Sequence, residues 1–147
     1  MTVTRPQLHH IALTVTDLDA SVAWYEQVFG IRFKKEIPHE GGVGKLLADE
    51  AFQLIMVLHA HHTNDGDVFG ETNTGLDHVG LRVPGRADLE AWQAHLESHG
   101  VECGDTADKP STQSPIVDEE YASVLVFRDP DNIQLELSCP PAGVTGA

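Results

Sequence analysis

Two stretches of the chain are similar to each other, and each begins with a histidine. The first runs from His10 to Val15 and the second from His78 to Val83. A shift of 68 residues superimposes His10 on His78, Leu13 on Leu81, Val15 on Val83, Ala23 on Ala91 and Trp24 on Trp92. Because the match continues beyond the first segment, it indicates an internal duplication. Two such modules folded face to face would bring both histidines into one cleft, a geometry typical of a metal site.

The composition excludes several classes of partner. The length of 147 residues predicts a single domain over residues 1–147 with a sizeable core. Acidic residues outnumber basic ones 23 to 9, and the formal net charge is −14. A surface with this charge repels nucleic acid and anionic membranes, so neither is expected as a partner.

The sequence also predicts a cytoplasmic protein. Its longest aliphatic run, residues 54–58, is too short to cross a bilayer, and residues 1–6 lack the apolar core of a signal peptide. Two cysteines, Cys103 and Cys139, do not favour a disulfide framework and are interpreted as small hydrophobic residues.

The first strand of each module is predicted to carry its histidine on one face and its aliphatic side chains on the other. Alternation over residues 8–15 turns His10 away from the packed side, and residues 76–83 do the same with His78.

Module one spans about residues 8–62 and is predicted as strand, helix and three strands. The helix is capped by Asp17 or Asp19 and ends at Gly30. Its packed stripe is predicted as Leu18, Val22, Tyr25 and Phe29. Three strands follow at 31–37, 44–48 and 52–58, and then a polar loop at 59–74.

Module two spans about residues 75–140 and repeats this order. A helix over 86–99, with Leu89, Trp92 and Leu96 along one stripe, leads to a short strand at 101–103. The polar segment 104–120 is interpreted as either a lid over a site or a mobile excursion. Strands at 121–128 and 133–138 form a hairpin around the turn that begins at Asp129.

The candidate metal ligands are His10, His78 and Glu136. Alternation in the last strand packs its aliphatic residues and turns Glu136 to the other side, where a carboxylate needs a partner. Two neutral imidazoles and one carboxylate form a set that leaves coordination positions open for substrate or water. Catalytic acid and base residues are not identified.

Other polar residues have plainer interpretations. A metal-binding loop of His59, His61 and His62 is an alternative, but an exposed polar loop is favoured. Tyr121 either contributes a phenol to the cleft or, as favoured, packs or stays solvated. Arg82 and Arg128 either orient an anionic group or, as favoured, form surface ion pairs. The remaining candidates, interpreted as surface residues, are His39, His95 and His99.

Together these motifs resemble the vicinal oxygen chelate (VOC) superfamily of glyoxalase I, bleomycin-resistance proteins, fosfomycin-resistance transferases and extradiol dioxygenases. The resemblance covers residues 8–138 and rests on four segments: 10–18, 21–30, 76–81 and 129–137. It implies an α+β fold of paired βαβββ modules in a half-open barrel, and usually a homodimer. It also implies a divalent metal, with Fe, Mn, Zn and Ni all open, that acts as a Lewis acid on a small-molecule substrate.

The chain departs from each subfamily. A glyoxalase I site needs a fourth ligand, but alignment of residues 53–54 with 134–135 places Ile55, with Met56 beside it, opposite Glu136. Extradiol dioxygenases and fosfomycin transferases carry a tyrosine where this chain has Val126. The dioxygenase histidine is also replaced, since its region contains residues 117–119.

Two functions follow from the resemblance. The first is a metal-dependent enzyme, either a glyoxalase-type lyase or isomerase or a dioxygenase, that acts on a substrate chelated through vicinal oxygens. The second is a non-catalytic binding module of bleomycin-resistance type that sequesters a small ligand. Retention of all three ligands ranks the enzyme first.

Overall fold

A computed structural model describes residues 2–141. The chain divides into two compact units, the first ending at Gly66 and the second beginning at Asp67. Each unit is α+β and combines one helix with one sheet, as the duplicated sequence predicts. In residues 2–141, neither helix is long and apolar enough to span a bilayer.

The first unit has the predicted order of strand, helix and three strands. Its elements are β1 (Ile11–Thr14), α1 (Leu18–Phe29), β2 (Arg32–His39), β3 (Gly42–Ala48) and β4 (Ile55–His61). The sheet order is β1-β4-β3-β2. β1 pairs in parallel with β4, and the other pairs are antiparallel. This pairing places the start of β1 beside the last strand of its own unit.

Helix α1 begins and ends where the sequence predicts, but it rotates relative to the predicted stripe. The Asp17 carboxylate accepts a hydrogen bond from the Ala20 amide, and Gly30 ends the helix in the left-handed conformation. The buried residues are Ser21, Tyr25 and Val28. The predicted stripe is wrong at Leu18, Val22 and Phe29, which are only half-buried.

Strand β4 begins three residues later than predicted and extends into the segment predicted as a loop. The Asp49 carboxylate accepts a hydrogen bond of 2.7 Å from the Leu54 amide and folds residues 49–54 into a turn. The predicted polar loop from residue 59 is therefore wrong at its beginning. His59 and His61 lie on a paired strand instead.

The second unit repeats the parallel pairing of its first and last strands. Its elements are β5 (Val79–Arg82), α2 (Arg86–Ser98), β6 (Glu102–Cys103), β7 (Thr112–Gln113), β8 (Val117–Asp118), β9 (Ser123–Arg128) and β10 (Gln134–Cys139). The order is β5-β10-β9-β7-β6, and β8 also pairs with β9. On α2, Leu89 and Leu96 of the predicted stripe are fully buried, and Trp92 is half-buried.

The polar segment 104–120 contains sheet structure. β7 and β8 lie within it, and Gln113 is completely buried. The Gln113 side-chain amide donates hydrogen bonds to the carbonyl oxygens of Gln93 and Val101. The centre of this segment is therefore anchored to the sheet and to α2, which argues against a lid or a mobile excursion there.

The hairpin between β9 and β10 is confirmed. The buried Asp129 carboxylate accepts hydrogen bonds from the amides of Asp131 and Ile133, both at 2.8 Å. Asn132 adopts a left-handed φ of 68°. This turn fixes the register of β10, the strand that carries Glu136. Cys103 and Cys139 are both free, the first exposed and the second buried.

Candidate metal centre

Each predicted histidine ligand immediately precedes the first strand of its unit. His10 comes one residue before β1 and His78 one residue before β5. Both are exposed, whereas Leu13 and Val79, on the opposite faces of these strands, are buried. The predicted alternation of exposure is confirmed in both copies, but the strands begin at Ile11 and Val79, so the prediction that they contain the histidines is wrong.

In the second unit, the fold brings His78 and Glu136 together. Strand pairing places Glu136 beside Gly80, two residues beyond His78 on the same face. A Cβ on Gly80 would have no neighbour within 4 Å, so the space between the two side chains is open. The Nε2 atom of His78 lies 3.7 Å from Oε2 of Glu136. The juxtaposition follows from the parallel pairing of β5 with β10.

The residue before His78 orients the imidazole ring. Nδ1 of His78 lies 2.7 Å from Oδ1 of Asp77, and because a carboxylate only accepts, Nδ1 carries the proton. The other ring nitrogen, Nε2, then lies on the side of Glu136 and offers a lone pair when the ring is neutral. In metal-binding histidines, the ring nitrogen that does not bind the metal typically donates a hydrogen bond to a carboxylate or a similar acceptor. Sequence reasoning missed Asp77, although its position directly before His78 was the available signal.

Glu136 is oriented in a similar way. The Ser138 hydroxyl donates a hydrogen bond of 2.8 Å to Oε1 of Glu136, so Oε2 is the oxygen that faces His78. Its side chain is 23% exposed, which keeps the carboxylate accessible from solvent but limits its rotation. In each side chain, a neighbour holds one polar atom, Nδ1 of His78 or Oε1 of Glu136. The other atom, Nε2 or Oε2, faces the partner.

The distance between these two atoms fits a divalent ion. Metal bonds of about 2.1 Å to both atoms would subtend an angle of about 120° at the ion. An imidazole nitrogen and a carboxylate oxygen are suitable ligands for Zn, Mn, Fe and Ni. The donor set in the second unit is therefore compatible with the metal that the sequence predicts.

His10, the third predicted ligand, belongs to the first unit. Its Nδ1 atom lies 2.9 Å from Nδ1 of His9, so the preceding residue engages the same nitrogen as in His78. Its membership of the metal centre stays a prediction.

Comparison with known proteins identifies the family. The model of the Glyoxalase/Bleomycin resistance protein/Dioxygenase superfamily matches residues 7–137. The chain belongs to this superfamily. The sequence-based assignment to the vicinal oxygen chelate fold is therefore confirmed.

Individual relatives agree with this assignment. The chain is 31% identical over 134 residues to the uncharacterized protein YaeR of Escherichia coli (strain K12), covering 89% of this chain and 94% of YaeR. A glyoxylase/bleomycin resistance protein/dioxygenase domain from Frankia sp. EAN1pec superimposes with a TM-score of 0.81 and 27% identity, covering 96% of each chain. The fosfomycin resistance protein FosX from Listeria monocytogenes, complexed with Mn(II) and sulfate, gives a TM-score of 0.62 at 16% identity, covering 95% and 96%. The FosX likeness shows the fold alone.

Strand pairing corrects the alignment used for the fourth ligand of glyoxalase-type members. Ile11 and Val79 are equivalent positions of the two copies. Ile11 pairs with Met56 and Val79 pairs with Leu135, so Met56 is equivalent to Leu135. The next residue, Val57, is therefore equivalent to Glu136, and Ile55 is not. Val57 is buried and has no metal donor. The fourth ligand is therefore missing at this position, which is occupied by Val57 and not by Ile55.

Val126 lies directly opposite Glu136 in the sheet. Extradiol dioxygenases and fosfomycin transferases are expected to carry a tyrosine there. The side chain next to the Glu136 carboxylate is thus aliphatic and cannot transfer a proton.

Of the other polar residues considered for the site, Arg128 lies in a buried ion pair, whereas Tyr121 and Arg82 line a cavity. Arg128 is buried and forms two hydrogen bonds of 2.9 Å with the Glu71 carboxylate. This pairing lowers the pKa of Glu71 to about 2. The ion pair favoured for Arg128 is confirmed, but it is not at the surface. Tyr121 is 76% exposed, and with Arg82 and Ser138 it lines a cavity of about 540 Å³.

Sequence reasoning missed a histidine cluster in the first unit. His39, predicted as a surface residue, is half-buried beside His59 and His61. The other two predicted surface histidines, His95 and His99, are also half-buried, with ring centroids 4.4 Å apart.

Proposed function

We propose that this protein is a divalent-metal-dependent enzyme that acts on a small substrate chelated through two adjacent oxygens. The observation that carries the proposal is the pair of His78 and Glu136, with donor atoms 3.7 Å apart and each side chain oriented by a neighbour.

The proposed ligands are His10, His78 and Glu136. Support for His10 comes from its duplicated position, its exposure and the engagement of its Nδ1 atom by the preceding residue. The two modules, about residues 8–62 and 75–140, would then act as one domain, with His10 supplied by the same chain or by a second copy in a homodimer. A cytoplasmic location remains part of the proposal.

The metal, when bound, would supply Lewis-acid polarisation of the chelating oxygens. The chain's own residues would hold and orient its ligands. Asp77 fixes the tautomer of His78, and Ser138 fixes the carboxylate of Glu136. The cavity lined by Arg82 and Tyr121 also reaches Ser138, so a substrate there would lie beside a cation and a phenol.

Lyase or isomerase chemistry of glyoxalase type and oxygen-dependent ring cleavage both stay in the proposal. Val57 supplies no fourth ligand of the glyoxalase I kind. Val126 places an aliphatic group opposite Glu136, where the dioxygenase members are expected to carry a tyrosine. The metal remains one of Fe, Mn, Zn and Ni, and Mn(II) is a suitable probe because the donor set includes a carboxylate.

Metal binding and turnover test the proposal together. We expect one tightly bound Mn(II) per chain, and metal-dependent activity on either a glutathione hemithioacetal or a catechol. Glu136→Gln should lose both the ion and the activity, whereas Glu119→Gln, which removes an exposed carboxylate of the same unit, should retain both.

Full activity in metal-free protein would overturn the proposal. Stoichiometric ligand binding that survives a chelator and Glu136→Gln, without turnover, would instead identify the binding module. Activity on the hemithioacetal would identify a lyase or isomerase, and activity on the catechol would identify a dioxygenase.

A further inference from the structure

The first unit contains a cluster of three imidazoles on one face of its sheet. His39 lies at the end of β2, and His59 and His61 lie near the end of β4. Nε2 of His39 is 3.1 Å from Nδ1 of His59. One nitrogen from each of the three rings lies within 4.8 Å of the others. The cluster shares no residue with His10, His78 and Glu136.

Strand register explains why three residues so far apart in sequence meet. Gly42 of β3 pairs with both His39 and His61, and Gly44 pairs with His59. Paired residues on neighbouring strands point to the same face of a sheet. The two strands that carry the histidines are therefore separated only by a strand that has glycine at both positions.

Gly44 leaves room for the His59 ring. A Cβ on Gly44 would lie 2.7 Å from Cε1 of His59, whereas a Cβ on Gly42 would clash with the backbone carbonyl oxygen of Ala60 and would lie 2.9 Å from Cε1 of His39. Gly44 does not have a positive φ, so its backbone conformation does not require glycine. The space that a side chain at Gly44 would fill is the space that the His59 ring occupies.

Three imidazoles this close favour neutral rings. Burial lowers the pKa of His59, and the neighbouring His39, His61 and His10 lower it further. Because a neutral imidazole offers a nitrogen lone pair, the cluster is suited to hold a cation at neutral pH.

We propose that His39, His59 and His61 form a second metal site, which binds Zn²⁺. Two ligands of a tetrahedral zinc ion are about 3.3 Å apart at normal Zn–N distances, and the 3.1 Å separation of His39 and His59 matches this edge. His61 is exposed at the strand end and has room to turn its ring toward the other two. Three imidazoles leave the fourth position for water or an anionic ligand.

Zinc is the expected ion because the donors are all imidazole nitrogens. Imidazole suits Zn, Cu and Ni, whereas Mn prefers sites that include oxygen. Mn(II) is therefore expected to bind only the first proposed site, whereas Zn²⁺ suits both, and either site can fail without the other.

Co²⁺ provides a direct test because it replaces zinc and absorbs in the visible range when tetrahedral. The full chain carrying His10→Ala, His78→Ala and Glu136→Gln serves as host, so that none of the proposed ligands of the first site contributes. We expect one equivalent of Co²⁺ with tetrahedral absorption bands, displaced by one equivalent of Zn²⁺. Absence of these bands in the host would overturn the proposal.

Variants of the cluster locate the ion. His61→Gln in the host should weaken Co²⁺ binding by more than about 100-fold, since even an outer hydrogen-bonding partner of a ligand contributes about 10–100-fold. His62→Gln is the matched control, because His62 is exposed, adjacent in sequence and outside the cluster. Unchanged binding in His61→Gln, or an equal loss in His62→Gln, would contradict the site. Because His61 is exposed, circular dichroism should show an unchanged fold in His61→Gln, and this variant decides even if His39→Gln does not fold.

Discussion

The two units use one strand arrangement to present different donor atoms. Each begins with an exposed histidine whose Nδ1 atom contacts the preceding residue, His9 in one case and Asp77 in the other. Strand pairing then makes Val57 the counterpart of Glu136 and His59 the counterpart of Ser138. On the last strand of the first unit, the proposed ligand His59 therefore stands two residues further along than the position equivalent to Glu136. Two residues are one repeat of the pleat, so both positions face the same side.

The strand beside this position also differs between the two units. His59 pairs with Gly44 of β3, whereas Ser138 pairs with Val124 of β9. The large imidazole stands beside a glycine and the small hydroxyl beside a valine. In the first unit, the glycine leaves the space on this face that the imidazole occupies.

The largest effect in the comparison is expected for the carboxylate of the second unit. Glu136→Gln preserves the shape of the side chain but removes the charge that a metal ligand requires. Mn(II) affinity should fall by more than about 100-fold, beyond the effect of losing an outer partner. Zn²⁺ binding at the His39 cluster should be unchanged in the same variant. Isothermal titration of each ion measures both, and a loss of both ions would show that the two sites are not independent.

A smaller effect on the same site is expected for Asp77. Asp77→Asn keeps a hydrogen-bonding group beside Nδ1 of His78 but removes the negative charge, so Mn(II) affinity should fall by about 10–100-fold. Asp105→Asn, an exposed change in the same unit, is the control and should leave affinity as it is. An Asp77→Asn protein that binds Mn(II) like the unmodified chain would remove Asp77 from the site.

Gly44 of β3 can be tested against Gly80, a strand glycine of the second unit with open space around it. Gly44→Ala forces the His59 ring aside, so zinc affinity at the His39 cluster should fall clearly, and the free energy of unfolding should decrease by about 1–3 kcal/mol if the ring cannot move fully. Gly80→Ala meets no atom within 4 Å and should leave zinc affinity and stability nearly unchanged. Equal behaviour of the two variants in metal titration and denaturant unfolding would argue against space as the reason for Gly44.

The smallest effect concerns acid stability. Arg128 pairs with Gln134, and the corresponding position in the first unit is Ala48, so the buried Arg128–Glu71 ion pair is a feature of the second unit. The pKa of Glu71 is lowered from 4.5 to about 2, so this contribution is present above pH 4.5 and is lost as the pH falls toward 2. Glu71→Gln should therefore be less stable than the unmodified chain at pH 7, and the difference should shrink between pH 4.5 and 2 in denaturant titrations. A difference that does not vary with pH would contradict this assignment.

The sequence was most informative where short-range patterns decide the structure. Alternation placed His10 and His78 on the exposed faces, and Asp17 and Gly30 marked the ends of α1. Periodicity alone does not show which histidines form a site. The internal duplication does, because it distinguishes His10 and His78 from the other seven histidines. The fold class and the candidate positions of the first site follow from these features.

The remaining features depend on contacts that local patterns do not encode. The start of β4 was missed because residues 52–54 look like strand, and only the Asp49 side chain turns them away. The His39 cluster was missed because His39 and His59 are 20 residues apart and meet through the register of β3. The helix stripe was misplaced because the small polar Ser21 was not considered a packing residue.

A crystal structure of the Mn(II)-loaded protein, with the ion located by its anomalous signal, tests the central claim most directly. The account predicts one ion bound by Nε2 of His10, Nε2 of His78 and Oε2 of Glu136, with bonds of about 2.0–2.3 Å. An ion held elsewhere, or one bound by His78 and Glu136 while no His10 nitrogen reaches it, would contradict the proposed centre.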